Sequence, residues 1–199
     1  MIACEIADSE SESSWGEFFR RLKARGLTGV RLVISDQHAG LNRAVRHYFQ
    51  GTAWQRCQVH FMRNFLGTFS KTEQKEWAQR LKDVFSAPEL QQAQERAKEL
   101  ATRLRDRRKE KQAQWIEENI EECLTVYLFP EEHRKKLRTT NVAERLNEEI
   151  RRRSRVIRIF PSQKSALRIV ASEGMEATDR WIENRYMDMK VKEELATAV

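Results

Sequence analysis

Two carboxylates, one cysteine–histidine pair and one arginine tract are the residues whose type and spacing suit chemistry. Asp36 follows Val30-Arg31-Leu32-Val33-Ile34, a short run rich in β-branched residues that reads as a buried strand. In open α/β sheets, ligands bind outside the carboxyl ends of the strands. A carboxylate there can hold Mg²⁺, which takes oxygen ligands and keeps several waters. It can equally cap the following helix. Glu144 has two readings as well. Asn141-x-x-Glu144 fits a capping box, with Asn141 as N-cap. Yet Glu144 also stands beside Arg145 and Asn147 and just ahead of an arginine tract. A metal-binding carboxylate near phosphate-binding guanidinium groups is the layout of a nuclease-like site. Cys57-x-x-His60 has metal-like spacing, but structural zinc needs four ligands and this pair supplies two. Its first reading is therefore a buried cysteine and a hydrogen-bonded histidine. His38, His47 and His133 show no partner pattern.

The charge is concentrated. The formal net charge is +7, and residues 134–158 alone carry ten basic and three acidic side chains. The rest of the chain is therefore neutral. Arg151, Arg152, Arg153, Arg155 and Arg158 crowd into eight positions. Arg binds phosphate in a planar, bidentate manner, whereas Lys acts as a point charge. The tract therefore predicts a nucleic-acid backbone as partner rather than a merely solvated face. A weaker basic cluster spans 103–111. Trp115 lies just past it and could stack on a base, against the competing reading of core packing. Trp15, Trp77 and Trp181 fall in register with apolar faces and read as core.

The elements that must position these groups follow from periodicity. Residues 2–7 suggest a short strand. Trp15, Phe18, Phe19 and Leu22 make a helical stripe that Gly26 would end. A second helix carries Leu41, Ala44, Val45 and Tyr48, and 53–59 reads as another strand. Strands joined by helices imply a parallel or mixed sheet. From His60 the pattern is helical. Ser70-x-x-Glu73 and Ser86-x-x-Glu89 read as capping boxes, and 88–127, rich in helix formers, predicts one long helix or two in series. Helices over 141–153 and 162–186 follow, separated by a β-prone stretch at 156–160 that Pro161 breaks.

With 199 residues the chain is long enough for one domain with a real core, or one domain with an insertion. Seven glycines and three prolines argue against a turn-rich β-sandwich or a linker protein. No apolar run approaches the roughly 18 residues of a membrane span. The opening residues lack a basic region followed by an apolar stretch, so no secretory signal is read. Three widely separated cysteines make no disulfide framework, and a cytoplasmic location, on the nucleoid when DNA is bound, is expected.

Three motifs occur in order: Ser35-Asp36-Gln37-His38-Ala39-Gly40-Leu41; Trp54-Gln55-Arg56-Cys57-Gln58-Val59-His60-Phe61-Met62-Arg63-Asn64; and Arg138-Thr139-Thr140-Asn141-Val142-Ala143-Glu144-Arg145-Leu146-Asn147 onward through Ile159-Phe160-Pro161. Together they resemble the Mutator-type transposases of bacterial insertion sequences, over essentially the whole chain. The resemblance implies an α/β fold, a partial RNase H-like core (a mixed sheet with helices) interrupted by a mostly helical insertion. Residues 1–60 would be the first part of the core, 61–137 the insertion, and 138–199 the return segment. It implies an Asp-Asp-Glu site using Mg²⁺ or Mn²⁺, with Asp36 matching the second Asp and Glu144 the Glu. Cys57 and His60 match a family signature of unassigned role. Arg145, Asn147, Arg151, Arg152, Arg153 and Arg155 would contact DNA, both transposon ends and target. The family's first catalytic Asp lies upstream of the residues matched here. Glu5 and Asp8 are the nearby acidic candidates, and neither sits in a matching motif. The expectation is a C-terminal portion with little activity by itself and with sheet edges left unpaired. Self-association or association with a full-length transposase would follow. The competing readings are a non-catalytic DNA-binding or transposase-interfering protein, and a helical scaffold without a nucleic-acid partner.

Overall fold

The computed structural model describes residues 2–7, 9–155, 157, 160–182 and 187. Asp8, Arg158 and most of the β-prone stretch 156–160 lie outside them, as does the end of the expected last helix beyond Ile182. The chain forms two compact units. One gathers residues up to Arg31, His38–Thr52 and the described residues from Thr140 onward. The other gathers Leu32–Gln37 and Ala53–Thr139.

The first unit is helical: α1 (Glu12–Ala24), α2 (Ala39–Tyr48), α8 (Asn141–Ser154) and α9 (Gln163–Ile182). Ser11 caps α1 by accepting the Ser14 N–H at 3.1 Å. Phe19 and Leu22 are buried, and the Phe19 ring meets Phe49 edge-on at 5.0 Å. Gly26 ends the helix in the left-handed region (φ +95°), where a side chain would be strained. Gly40 lets α2 approach the α1 cap. A Cβ there would lie 2.8 Å from the Glu10 carbonyl oxygen. Residues 2–7 form no strand, because no neighbouring strand accepts their backbone groups among the described residues.

The second unit holds the sheet and most of the core. Strands β1 (Leu32–Ser35) and β2 (Ala53–Arg56) pair in parallel, with Leu32 opposite Ala53 and Ser35 opposite Arg56. Among the described residues the sheet is this parallel pair, not a mixed one. β2 stops before the expected end at Val59, because Cys57 turns the chain and caps α3 (Gln58–Leu66). α4 (Lys71–Phe85), α5 (Leu90–Asp106), α6 (Glu110–Asn119), two 3₁₀ turns (Ile120–Cys123, Thr125–Leu128) and α7 (Glu131–Leu137) follow. The expected helical region 88–127 is thus two helices in series. They break where Arg108 takes φ +58° and the Lys109 N–H bonds the Leu104 carbonyl. Phe61, Phe65, Leu81, Leu104 and Ile116 are buried at the centre of this unit. Trp115 packs there too, stacked on Phe65 with centroids 5.8 Å apart, so its role is core packing. Trp77 is buried as expected, but Trp181 is 41% exposed, because it lies on the outer side of α9.

Of the capping boxes expected at Ser70 and Ser86, the first forms. The Glu73 carboxylate accepts from both the Ser70 N–H and hydroxyl. Ser86 instead closes α4, its hydroxyl donating to the Asp83 carbonyl, and Glu89 precedes α5. The Ser86 N–H is already committed to the Lys82 carbonyl, which leaves this residue at the end of a helix rather than at the start of one. Lys109 reaches Glu73 at 2.8 Å. Its hydrogen bond, then that of Ser70, holds the Glu73 carboxyl down to about 2. A depressed folded value means that this contribution is present above the ordinary carboxylate range and fades as pH falls through about 2. The expected result is a Glu73 carboxyl carbon that titrates near pH 2 by NMR. Lys109→Met should return it towards the ordinary range, and an unmoved titration would refute the pairing.

Arg56, at the end of β2, is only 1% exposed. Its guanidinium donates to Glu122 at 3.2 Å and lies 4.9 Å from the Phe61 ring centroid. Removing one partner of such a pair strands a buried charge. Glu122 is 36% exposed, so Glu122→Leu should lower stability by about 1–3 kcal/mol in urea unfolding. A change within about 0.5 kcal/mol, typical of surface substitutions, would show that the Asn119 Oδ1, which also accepts from Arg56 at 3.3 Å, and the Phe61 and Trp115 rings suffice.

Candidate functional site

The parallel register brings three chemically capable side chains together. Ser35 lies opposite Arg56, so Asp36 and Cys57 each stand one residue past the carboxyl end of their strand. The Cys57 N–H donates to the Ser35 carbonyl at 2.8 Å and continues the ladder to this point. His60 follows Cys57 by three residues, which sets it on the same side of the first turn of α3. A ligand atom from each of Asp36, Cys57 and His60 lies within 4.8 Å of the other two. The buried Nδ1 of His60 is in contact with Asp36 Oδ1. Asp36 opens the cluster to solvent with its side chain 56% exposed, while His60 is 19% exposed and Cys57 is buried. Below it, Trp54 Nε1 donates to Ser35 Oγ, and that hydroxyl donates to the Asp36 carbonyl, each at 2.8 Å.

Asp36 is not the cap of α2. His38 takes that place, with its Nδ1 facing the Leu41 N–H at 3.4 Å. Near α8 the expected capping box shifts. Thr140, not Asn141, is the N-cap, and Asn141 is the first helical residue. The Thr140 hydroxyl donates to Glu144 Oε1 at 2.9 Å, while the Glu144 N–H bonds the Thr140 carbonyl. Glu144 thus stands in the first turn of α8, one position later than a box requires. Asp36 and Glu144 belong to different units.

Helical spacing sorts the residues of α8. Glu144, Asn147 and Arg151, with Arg155 at the C-cap, share one face at i, i+3, i+7 and i+11. Arg145 and Arg152 flank that face. Arg152 also pairs with Glu149 at 2.8 Å. Arg153 points half a turn away, to α9. It reaches the buried Glu173 at 2.6 Å and Glu176 at 3.0 Å. In the weaker basic cluster Arg105 is likewise engaged within the fold, holding Glu117 through two bonds of 2.7 Å and Glu110 at 3.0 Å.

The donor set decides which ions suit the cluster. Mg²⁺ is a hard ion that takes oxygen, and the Asp36 carboxylate meets that need. A thiol and an imidazole do not. They suit a borderline ion of the Zn²⁺ type. The Cys–His spacing was visible in the sequence. The missed third member was Asp36, whose one signal was that it follows its strand by the same single residue as Cys57 follows the next.

A family model described as "Transposase, Mutator family" matches residues 1–184. The chain is 43% identical over 192 residues to a transposase for insertion sequence element ISRM5 of Rhizobium meliloti (strain 1021), covering 95% of this chain and 48% of that protein. It is 43% identical over 183 residues to a transposase for IS406 of Burkholderia multivorans, with 92% and 47% covered. It is 39% identical over 183 residues to a transposase for IS256 in transposon Tn4001 of Staphylococcus aureus, again with 92% and 47% covered. The chain spans about half the length of these curated relatives. Among the described residues, no helix is long and apolar enough to cross a membrane.

Proposed function

Because the chain belongs to the Mutator family of transposases, we propose that it carries part of a machinery that cuts and rejoins DNA strands. In this reading β1 and β2 belong to an RNase H-like core, 61–137 is its helical insertion, and 138–199 is the return segment. Asp36 and Glu144 are its metal-holding carboxylates, each offering oxygen to Mg²⁺ or Mn²⁺. A bound ion would supply Lewis-acid activation of water and stabilise charge on the displaced oxygen. Attack of water on the phosphodiester forms one P–O bond, breaks another and leaves a 3′-OH. That 3′-OH then attacks a target phosphodiester in the same in-line manner, giving up its proton.

The residues of this chain do the positioning. His60 contacts the Asp36 carboxylate and restricts its orientation. Arg145, Asn147, Arg151 and Arg155 hold DNA phosphates beside Glu144, with Arg152 at the margin. Met175, Trp181 and Ile182, exposed on α9, support association with a second copy or a longer transposase. The observation that carries the assignment is the family match over 1–184, with Asp36 at the strand end where α/β sheets bind ligands.

A second reading is a DNA-binding protein that interferes with a full-length transposase. It is favoured by the arginines of α8, which can bind phosphate without a metal. One assay separates them. The chain alone, and a chimera in which it replaces the matched half of the Rhizobium meliloti relative, are incubated with DNA carrying that relative's element ends. Mn²⁺- or Mg²⁺-dependent nicking by the chimera supports the first reading. Salt-dependent binding by both proteins without metal-dependent nicking supports the second.

A further inference from the structure

We propose that Asp36, Cys57 and His60 form a binding site for a borderline divalent ion of the Zn²⁺ class, with water in the fourth position. The argument rests on cluster geometry and donor chemistry, and it is independent of Glu144 and of strand cleavage. Three different donors, a carboxylate oxygen, a thiol sulfur and an imidazole nitrogen, lie within 4.8 Å of one another. Each comes from a rigid place. Asp36 and Cys57 are fixed by adjacent positions past paired strands, and His60 by the first turn of α3. Three protein ligands with one open position is the form of a zinc site that keeps a water.

Charge supports the same conclusion. Cys57 and His60 are withdrawn from solvent, and Asp36 opens outward. A divalent ion entering past Asp36 would displace the thiol proton to solvent and bind the thiolate. Thiolate and carboxylate together then neutralise it. Mg²⁺ gains nothing from sulfur or imidazole, so it competes poorly for the three donors together, while the second oxygen of the exposed Asp36 carboxylate remains for a hard ion. Among the described residues the donors that converge here are Asp36, Cys57 and His60, and the nearby Cys123 is not one of them.

The test is a Co²⁺ titration of the full chain, followed by absorbance. The expected result is one equivalent bound, with tetrahedral visible bands and a near-ultraviolet thiolate-to-cobalt charge-transfer band. Zn²⁺ should abolish the bands, and excess Mg²⁺ should not. Cys57→Ser should lose the charge-transfer band, whereas Cys4→Ser and Cys123→Ser should keep it. Asp36→Asn and His60→Gln should each weaken Co²⁺ binding by more than the roughly 10–100-fold seen for residues that merely support a ligand. Should Cys57→Ser fail to fold, X-ray absorption of the Zn²⁺-loaded natural chain decides the matter by showing one sulfur among nitrogen and oxygen neighbours. An oxygen-only shell, no charge-transfer band in the folded chain, or a band that survives Cys57→Ser overturns the proposal. Any of these leaves the oxygen-based role of Asp36 and Glu144 standing. Conversely, nicking that persists in Asp36→Ala would remove that role without touching the cobalt result on the natural chain.

Discussion

Alanine at Asp36 or at Glu144 should lower metal-dependent nicking by the chimera more than about 100-fold, beyond the loss seen when only an outer partner of a metal ligand is removed. The reason is chemical. In-line phosphoryl transfer depends on positioning and on charge stabilisation by the ions, and carboxylate oxygens are what hold them. Residues that act as one unit lose their function together, so the double variant should be little worse than either single one. Asp36→Asn should also fail, since it keeps the shape and removes the charge. His60→Gln should cost less, because it acts by orienting Asp36. The measurement is the rate of nicked-circle formation with Mn²⁺, with circular dichroism to confirm folding. Nicking that survives either alanine variant would sink the assignment of that residue.

The second large effect separates two arginines that lie two positions apart. Arg151→Ala should weaken DNA binding and flatten its salt dependence by about 0.9 in slope, the value expected for one lost phosphate contact. Arg155→Ala should do the same. Arg153→Ala should behave differently. Arg153 lies at 2.6 Å from Glu173, a carboxylate with a side chain 5% exposed, and its removal leaves that charge buried without this partner. Arg153 itself is 40% exposed, so solvent screens part of the loss, but the stranded Glu173 charge should still loosen α8 and α9 before any effect on the salt slope is seen. Fluorescence anisotropy across a salt series, paired with urea unfolding, checks both halves. An Arg153→Ala chain that is fully stable but has a flattened slope would place Arg153 on the DNA after all. Unchanged slopes for Arg151→Ala and Arg155→Ala would remove this face from the DNA contact.

Much of this molecule was legible in its residues. The stripe of Trp15, Phe18, Phe19 and Leu22 has only one reading at a 3.6-residue period, and α1 lies there. Ser70 and Glu73 announce the start of α4 because both partners of a capping box lie within four residues. The strand–helix–strand order around Asp36 was readable because the β-branched run and the amphipathic segment after it have different periods. The misreadings have local causes. Residues 2–7 are mostly apolar and suggest a short strand, but a strand exists only where a neighbour accepts its hydrogen bonds. Ser86 fits a cap pattern, yet the same residue type can serve the end of the preceding helix, and the backbone bond to Lys82 decided between them.

By itself the sequence determined the kinds of groups available: a carboxylate after a strand, a Cys–His pair one helical turn apart, and a tract of arginines. It also determined most of the helices, since their signals lie within a few residues of one another. Tertiary structure decided which of those groups meet. Asp36 and His60 are 24 positions apart in the chain. They touch only because β1 and β2 pair in parallel with Ser35 opposite Arg56, and register between strands is set by packing rather than by nearby residues. The arginines of α8 are alike as residues. Only the partner across the helix, Glu173 on α9, makes Arg153 a clamp and leaves the Glu144 face to Arg151 and Arg155. Composition fixes which charges a chain has; folding fixes which of them are already spent on each other.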